Sequence, residues 1–122
     1  MARFDRNTWH GHSEIAMWYI FPQYTGLGYS DISKFYSIQN LDEARAYLNH
    51  PILGSRLKEI SKELYLSNEN NAKKIFGSPD DLKLKSSMTL FSFIDTSEEM
   101  LFKKVIDKYF NGEFDNNTLQ LL

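Results

Sequence analysis

The sequence predicts an all-α fold: a single compact domain of about six to seven helices joined by short loops. Three observations lead to this prediction. Apolar residues recur at helical spacing, capping and helix-breaking residues bracket most of these segments, and the alternation typical of strands is nearly absent. A chain of 122 residues corresponds to one domain, so we expect one helical domain over 1–122 with an irregular start over 1–12.

Two predicted helices flank a glycine-containing loop near the start of the chain. The first covers 14–21, and Pro22 ends it because the residue before a proline disfavours helical geometry. The loop QYTGLGYS follows. Ser30 or Asp31 is then expected to cap a short helix that runs to about Ile38.

The middle of the chain carries stronger helix signals. Asn40 is the expected N-cap of a helix in LDEARAYLNH. The segment HPILGSRLKEISKELYL is the clearest amphipathic helix, with Pro51 at the tolerated first position. Gly54 inside it costs about 1 kcal/mol relative to alanine, which predicts close packing against another backbone. A short helical turn over NNAKKIF follows.

Two helices are predicted towards the end of the chain. TSEEMLFKKVIDKYFNG is expected to begin at a cap on Thr96 or Ser97 and to end at Gly112. DNNTLQLL is expected to form a short terminal helix capped by Asp115 or Asn116.

The helix in SPDDLKLKSSMTLFSFI is apolar on most sides, so we expect it to be central in the fold. Ser86, Ser87 and Thr89 lie among its apolar residues and are expected to be partly buried. Such hydroxyls can bond to carbonyls four residues earlier, which would be a scaffold role. The alternative is a polar wall in an otherwise apolar small-molecule cleft, with Asp81 and Lys83 supplying charge at its mouth.

The loop TGLG offers a second part of such a site. Gly26 and Gly28 permit positive φ and can turn N–H groups towards an anion. The third glycine of a dinucleotide fingerprint and the GK[ST] of a P-loop are missing, so the alternative is a tight turn between two helices. Gln23 either supports this loop or faces a ligand, because a buried amide needs partners.

Two further residues have alternative interpretations. His50 precedes Pro51 at a helix start, where a cap, a surface position or a catalytic role can be considered. Arg56 would most simply pair with Glu59 or Glu63 on its own helix, and would form an anion clamp if it pointed inward.

Composition excludes several classes of protein. The net charge of −2, with both signs interspersed, argues against nucleic-acid binding. The absence of cysteine excludes disulfides and thiolate chemistry, and the three histidines do not form a ligand set, so no metal or cofactor is predicted. No apolar run approaches the ~18 residues of a membrane span, and no basic region precedes one, so a cytoplasmic protein is expected.

The sequence resembles a bacterial family known as domain of unknown function 1810, some of whose members carry the name calpastatin. The matching segments are MWYIFPQYTGLGYS, FYSI, LDEARAYLNHPILGSRL, IFGSPDDLKLKSSMTLF and YFNGEFDNNTLQLL. The resemblance implies a compact helical domain and brings no established activity or cofactor. An inhibitor of the calpastatin kind works through segments that fold only on binding, whereas this chain has the periodicity of a self-supporting core.

The chain departs from this family at its front. Relatives usually begin with an additional helix and carry a His-Trp pair where this sequence has Ile15 and Ala16. The first helix is missing or replaced by MARFDRNTWHGHS. Because loss of a core helix would expose apolar surface, we predict a homo-oligomer in which another copy covers it, or an artefactual start.

Two functions from different classes follow. The first is a small-molecule site for a phosphate-bearing or nucleoside-like ligand, with hydrolysis as an enzymatic form in which Asp81 is the acid–base group. Its expected residues are Gln23, Gly26, Gly28, Ser30, Tyr36, His50, Arg56, Lys83, Ser86, Ser87 and Thr89. A looser likeness to helical hydrolases of ADP-ribose conjugates points the same way. The second is a non-catalytic interaction or self-association module centred on Trp9, Trp18 and Tyr19.

Overall fold

Helices make up most of the part of the chain that the structure describes. A computed structural model describes residues 21–24, 26, 37–69, 71–76 and 80–122. The helices in these ranges are α1 (Leu41–Asn49), α2 (Leu53–Leu66), α3 (Ala72–Phe76), α4 (Asp80–Ile94), α5 (Leu101–Phe110) and α6 (Asn116–Leu121). The described residues contain no strand, only an isolated parallel bridge between Tyr24 and Ile38. None of the described helices has the length and apolar character needed to cross a membrane.

The predicted all-α class is confirmed for these residues. The two helices predicted before residue 38 fall almost entirely outside the described ranges, so the predicted total of six to seven helices is not confirmed. Ile38, the expected end of the second of them, is not helical and pairs with Tyr24 instead.

Helix α1 begins at the predicted cap. The Oδ1 atom of Asn40 accepts the N–H of Glu43 at 2.8 Å. In return, the Glu43 carboxylate accepts the N–H of Gln39 at 3.0 Å. Two backbone N–H groups near the start of α1, those of Gln39 and Glu43, thus donate to side-chain oxygens, as in a capping box.

Helix α2 begins two residues later than the sequence predicts. Its helical residues start at Leu53, not at Pro51. The Nδ1 atom of His50 accepts the N–H groups of Ile52 and Leu53, each at 3.1 Å. These two contacts make His50 the residue that caps the entry into α2, because they satisfy N–H groups that the first turn leaves without helical partners.

Gly54 brings α1 and α2 into backbone contact. A Cβ atom placed on Gly54 would lie 1.9 Å from the carbonyl oxygen of Leu48 and 2.6 Å from its carbonyl carbon. Since no side chain fits in that space, the prediction that Gly54 packs against another backbone is confirmed.

Helix α4 is central, as predicted, and packs against α1, α3, α5 and α6. Its side chains Leu84, Met88 and Phe91 are fully buried. The ring of Phe91 lies 5.7 Å from that of Tyr47 in α1 and 5.8 Å from that of Phe102 in α5, measured between centroids. Such tilted ring pairs add to the stabilisation from apolar burial.

The predicted start of α5 is wrong. The helix begins at Leu101, not at a cap on Thr96 or Ser97. The carboxylate of Asp95 accepts both the N–H of Ser97 at 3.0 Å and its hydroxyl at 3.1 Å, which holds Ser97 in a turn instead of a cap. Met100 then adopts a left-handed conformation, with φ of 51° and ψ of 44°, directly before the helix.

The end of α5 agrees with the prediction. The last helical residue is Phe110, and Asn111 and Gly112 follow with positive φ of 55° and 78°. The N–H of Gly112 donates to the carbonyl of Ile106 at 3.2 Å, which satisfies a carbonyl of the last turn.

Candidate functional site

The described ranges contain nine of the twelve residues predicted to form the site. Gly28, Ser30 and Tyr36 lie outside them, as do Trp9, Trp18 and Tyr19 of the alternative interaction surface. The remaining residues fall on α4, on α2 with its entry turn, and on the short segment that contains Gln23 and Gly26.

Two of the three hydroxyls in the KSSMT segment of α4 have complete scaffold roles. Ser86 donates to the carbonyl of Leu82 at 3.1 Å, and Thr89 donates to that of Lys85 at 2.8 Å. These are the bonds to carbonyls four residues earlier that the scaffold interpretation predicts. Thr89 Oγ1 also accepts the N–H of Asp115 at 2.9 Å.

Asp115 joins these hydroxyls to α6. Its Oδ2 atom accepts the hydroxyl of Ser86 at 3.2 Å, the N–H of Thr118 at 2.9 Å and the hydroxyl of Thr118 at 2.6 Å. Asp115 is therefore the N-cap of α6, one of the two predicted alternatives. Ser86 and Thr89 fasten this cap to α4, and the ligand role expected of them stays a prediction.

Ser87 differs from its neighbours. It is fully buried, and its Oγ atom has no hydrogen-bond partner. Successive residues of a helix are about 100° apart around the axis, so Ser87 lies on a different side of α4 from Ser86 and Thr89. Ser86 and Thr89 thus lie on the side of α4 that contacts Asp115, and Ser87 lies on another side of the helix.

Gln23 and Asp81, like Ser87, each hold a buried polar atom that has no hydrogen-bond partner. Gln23 is 3% exposed; its backbone carbonyl accepts the N–H of Ile38 at 2.8 Å, whereas its side-chain Nε2 has no partner. The Oδ1 atom of the half-buried Asp81 is also buried without a partner. Among the described residues, these three side chains alone hold such atoms. Because most buried polar groups in native proteins have partners, each of the three requires an explanation.

The other described residues of the predicted site have surface or structural positions. Gly26 has the expected positive φ, 95°, and a Cβ there would lie 3.5 Å from both methyl groups of Leu121, so this turn packs on α6. His50 is exposed and caps α2, and Arg56 is exposed. Lys83 is half-buried and has an interaction partner.

Sequence reasoning did not find the contacts that Lys108 and Tyr109 make. The Nζ atom of Lys108 donates to the carbonyls of Leu64 at 2.9 Å and Tyr65 at 2.8 Å, and also to that of Ser67. The Tyr109 hydroxyl donates to the same Leu64 carbonyl at 2.6 Å. Two side chains of α5 thus satisfy the carbonyls at the end of α2, a role that no local pattern signals because the partners lie more than forty residues apart.

Burial affects the ionisation of both residues. Desolvation lowers the pKa of the Lys108 ammonium and raises the pKa of the Tyr109 phenol. A hydrogen bond with Ser67 lowers the pKa of Tyr109, and the negative charge of Glu69 raises it, but both effects are smaller than that of burial.

Two surface cavities are lined by described residues. One of 590 Å³ lies at the start of α6 and is lined by Lys85, Glu113, Phe114, Asp115, Asn116, Asn117 and Leu119. The other, of 230 Å³, is lined by Lys58, Glu59, Lys62, Asp95, Ser97, Glu99, Leu101 and Phe102. Neither lining includes a residue of the predicted site. No group of three or more histidine and carboxylate side chains in the described ranges is arranged to hold a metal ion.

The fold and these buried groups define a small helical domain with polar side chains held in its interior. The chain belongs to the family described as protein of unknown function (DUF1810), whose model matches residues 10–122, which confirms the resemblance seen in the sequence. It is similar to the crystal structure of the conserved hypothetical protein Rv1873 from Mycobacterium tuberculosis, with 43% identity and a TM-score of 0.84. That match covers 92% of this chain and 77% of the other. No curated protein matches the chain.

Proposed function

We propose that this protein binds a small polar molecule at a site that includes Gln23, Asp81 and Ser87. The observation that supports this proposal is that each of these side chains holds a buried polar atom without a hydrogen-bond partner. Leaving such a group unsatisfied costs about 1–3 kcal/mol, so a scaffold gains nothing from keeping three of them. A ligand that supplies the missing hydrogen bonds removes this cost when it binds.

Two of the three residues, Asp81 and Ser87, lie on helix α4, about 120° apart around its axis. Asp81 and Ser87 are six residues apart on α4, a distance of about 9 Å along the helix axis. Gln23 lies on a separate segment, three residues before Gly26, which has a positive φ of 95°. The phosphate-bearing or nucleoside-like ligand predicted from the sequence is retained here, and hydrolysis with Asp81 as the acid–base group is the enzymatic form of the proposal.

Neighbouring serines provide a matched test. Ser87→Ala removes an unsatisfied buried hydroxyl, so we expect a more stable protein, by about 1 kcal/mol, that has lost ligand affinity. The proposal assigns Ser86 to the scaffold. Ser86→Ala removes the bond to Asp115, so we expect a less stable protein with unchanged ligand affinity. Thermal shift measurements with nucleotides, sugars and phosphorylated metabolites report both quantities, because a ligand present at 100 times its Kd stabilises the fold by about 2.7 kcal/mol.

The proposal fails if no compound of this library stabilises the wild-type protein. It also fails if Ser87→Ala destabilises the protein as much as Ser86→Ala does, because the Ser87 hydroxyl would then serve the scaffold.

A second candidate function is self-association. Leu82 and Phe93 are 54% and 58% exposed although most side chains of helix α4 are buried. They are eleven residues apart, which places them within about 20° of each other around the helix. A second copy of the chain that covered both would bury this apolar surface in a homo-oligomer, at residues other than the Trp9, Trp18 and Tyr19 named from the sequence. Light scattering across a range of protein concentrations tests this, with Phe93→Glu expected to yield the monomer and Glu98→Gln, at an exposed site, as a control.

A further inference from the structure

We infer that Asn111 is a site of spontaneous covalent modification, at which its side-chain amide is converted to a carboxylate, and that the turn after helix α5 controls the rate. Asn111 and Gly112 form the only Asn-Gly pair in the sequence. A glycine after asparagine favours this reaction, because it has no side chain to hinder the approach of its backbone nitrogen. This site is independent of the ligand site proposed above.

The reaction joins groups of two adjacent residues. The backbone nitrogen of Gly112 loses its proton to solvent base and attacks the side-chain carbonyl carbon, Cγ, of Asn111. The new N–C bond closes a cyclic imide, a succinimide, and the amide nitrogen takes up one proton and leaves as ammonia. Water then opens the ring at either of its carbonyl carbons, which gives aspartate or isoaspartate. Water is the only co-reactant.

The folded conformation of Asn111 keeps the reacting atoms apart. Asn111 is left-handed, with φ of 55° and ψ of 30°. At this ψ, the Gly112 nitrogen and the Asn111 Cβ atom lie about 150° apart around the Cα–C bond, because tetrahedral geometry places Cβ about 120° from the backbone nitrogen. Ring closure requires both on the same side of that bond. The turn must therefore open before the ring can form.

Two hydrogen bonds hold the turn closed. The N–H of Gly112 donates to the carbonyl of Ile106 at 3.2 Å, and the N–H of Glu113 donates to that of Phe110 at 3.0 Å. The first of these bonds also engages the proton that the reaction must remove. Asn111 is itself exposed, so solvent reaches it without further unfolding. The reaction thus proceeds through a local opening of the turn, while the other helices stay folded.

Conversion should weaken the end of α5. Aspartate adds a negative charge at a helix C-terminus, where the helix dipole disfavours it. The carboxylate of Asp107 lies beside the same turn, since a Cβ atom on Gly112 would be 3.2 Å from its Oδ1 atom. Isoaspartate inserts one more carbon into the main chain before Gly112, which displaces the N–H that closes the turn. The last turn of α5 also holds Tyr109, whose hydroxyl donates to the end of α2, so we expect the converted protein to be less stable.

Two rates measured on the full chain test the control by the turn. Wild-type protein is incubated in mildly alkaline buffer, folded or unfolded in urea, and peptide mapping by mass spectrometry follows conversion at Asn111. Opening the turn breaks two hydrogen bonds, so we expect conversion in the folded protein to be roughly thirtyfold slower than in the unfolded chain. Hydrogen exchange of the Gly112 amide reports the same opening, so its protection factor should match this slowing within a few-fold. Asn117, which precedes the β-branched Thr118, is the internal control and should convert more slowly than Asn111 in the unfolded chain.

Two variants test the site and its consequence. Asn111→Gly keeps a residue that favours the left-handed turn but removes the amide, so we expect no conversion there and a Tm no lower than that of wild type. Asn111→Asp reproduces one product and should lower the Tm. Equal rates in the folded and unfolded chains would refute control by the turn, and faster conversion at another asparagine of the unfolded chain would refute the site. An Asn111→Asp variant with wild-type Tm would show that this conversion leaves the end of α5 intact, contrary to the inference.

Discussion

Replacing Gly54 by alanine tests whether backbone contact or helix propensity controls the stability of the α1–α2 corner. In an exposed helix this change stabilises by about 1 kcal/mol, because alanine has the higher propensity. Here the new Cβ would lie 1.9 Å from the Leu48 carbonyl oxygen. Ordinary contact begins at 3.4 Å, so the two backbones would have to separate by about 1.5 Å.

The clash should outweigh the gain in propensity. The contacted atom belongs to the backbone of α1 and cannot rotate away as a side chain could. Moving α1 would also loosen the packing of Ala44 and Leu48, both buried in the core. Overpacking costs typically 1–3 kcal/mol and sometimes more. With the upper end of this range reduced by the gain in propensity, we expect a net loss of about 2 kcal/mol, or a fall in Tm of about 8 °C for a domain of this size.

Urea denaturation followed by circular dichroism measures this change directly. Ser55→Ala is the matched control, because it places alanine at the next position of the same helix with an exposed side chain and should change stability by less than about 0.5 kcal/mol. If Gly54→Ala proves as stable as the wild-type protein, the close approach of α1 and α2 is not a constraint and the reasoning is refuted.

Two other predictions concern the ends of α2. His50→Ala removes the acceptor for two N–H groups and should cost about 1 kcal/mol in urea denaturation, as the loss of an N-cap does, whereas no change would mean that water replaces the ring. Because burial raises the pKa of Tyr109 above its ordinary 10.0, the folded protein holds this proton more tightly than the unfolded chain does. The stability due to this shift is complete below pH 10 and falls as the pH rises through the pKa of the folded state, so wild type should lose more stability than Tyr109→Phe above about pH 10. Lys108, whose pKa is shifted in the opposite direction, is retained in both proteins. Parallel pH curves for the two proteins would contradict the prediction.

Local sequence patterns were sufficient to predict a contact where a residue and its partner are close in sequence. The cap at Asn40 lies three residues from the N–H that it accepts, and the cap at Asp115 has the same spacing to Thr118. Gly54 was informative for a different reason. A glycine inside a helix lowers its stability, so its presence there indicates that a neighbouring backbone leaves no room for a side chain. These features could be predicted because their physical causes act over a few residues.

Contacts between distant residues could not be predicted in the same way. The hydroxyls of Ser86 and Thr89 were expected to be buried, but nothing in their own segment shows that Asp115, more than twenty residues later, uses them both. Thr96 and Ser97 had the right chemistry for a cap, but Asp95 competes for Ser97. The burial of Gln23 and Ser87 could be expected from their apolar surroundings, whereas the absence of partners becomes visible only with three-dimensional packing.

The anchoring of α6 has a consequence for the order in which the chain folds. A helix of six residues does not persist in water by itself, so α6 should form only once α4 has presented Thr89 and Ser86 to the Asp115 cap. The amide protons of Asp115 and Thr118 would then exchange with solvent together, at a rate set by the local unfolding of α6. Their exchange would report the separation of α6 from α4 while the other helices stay folded.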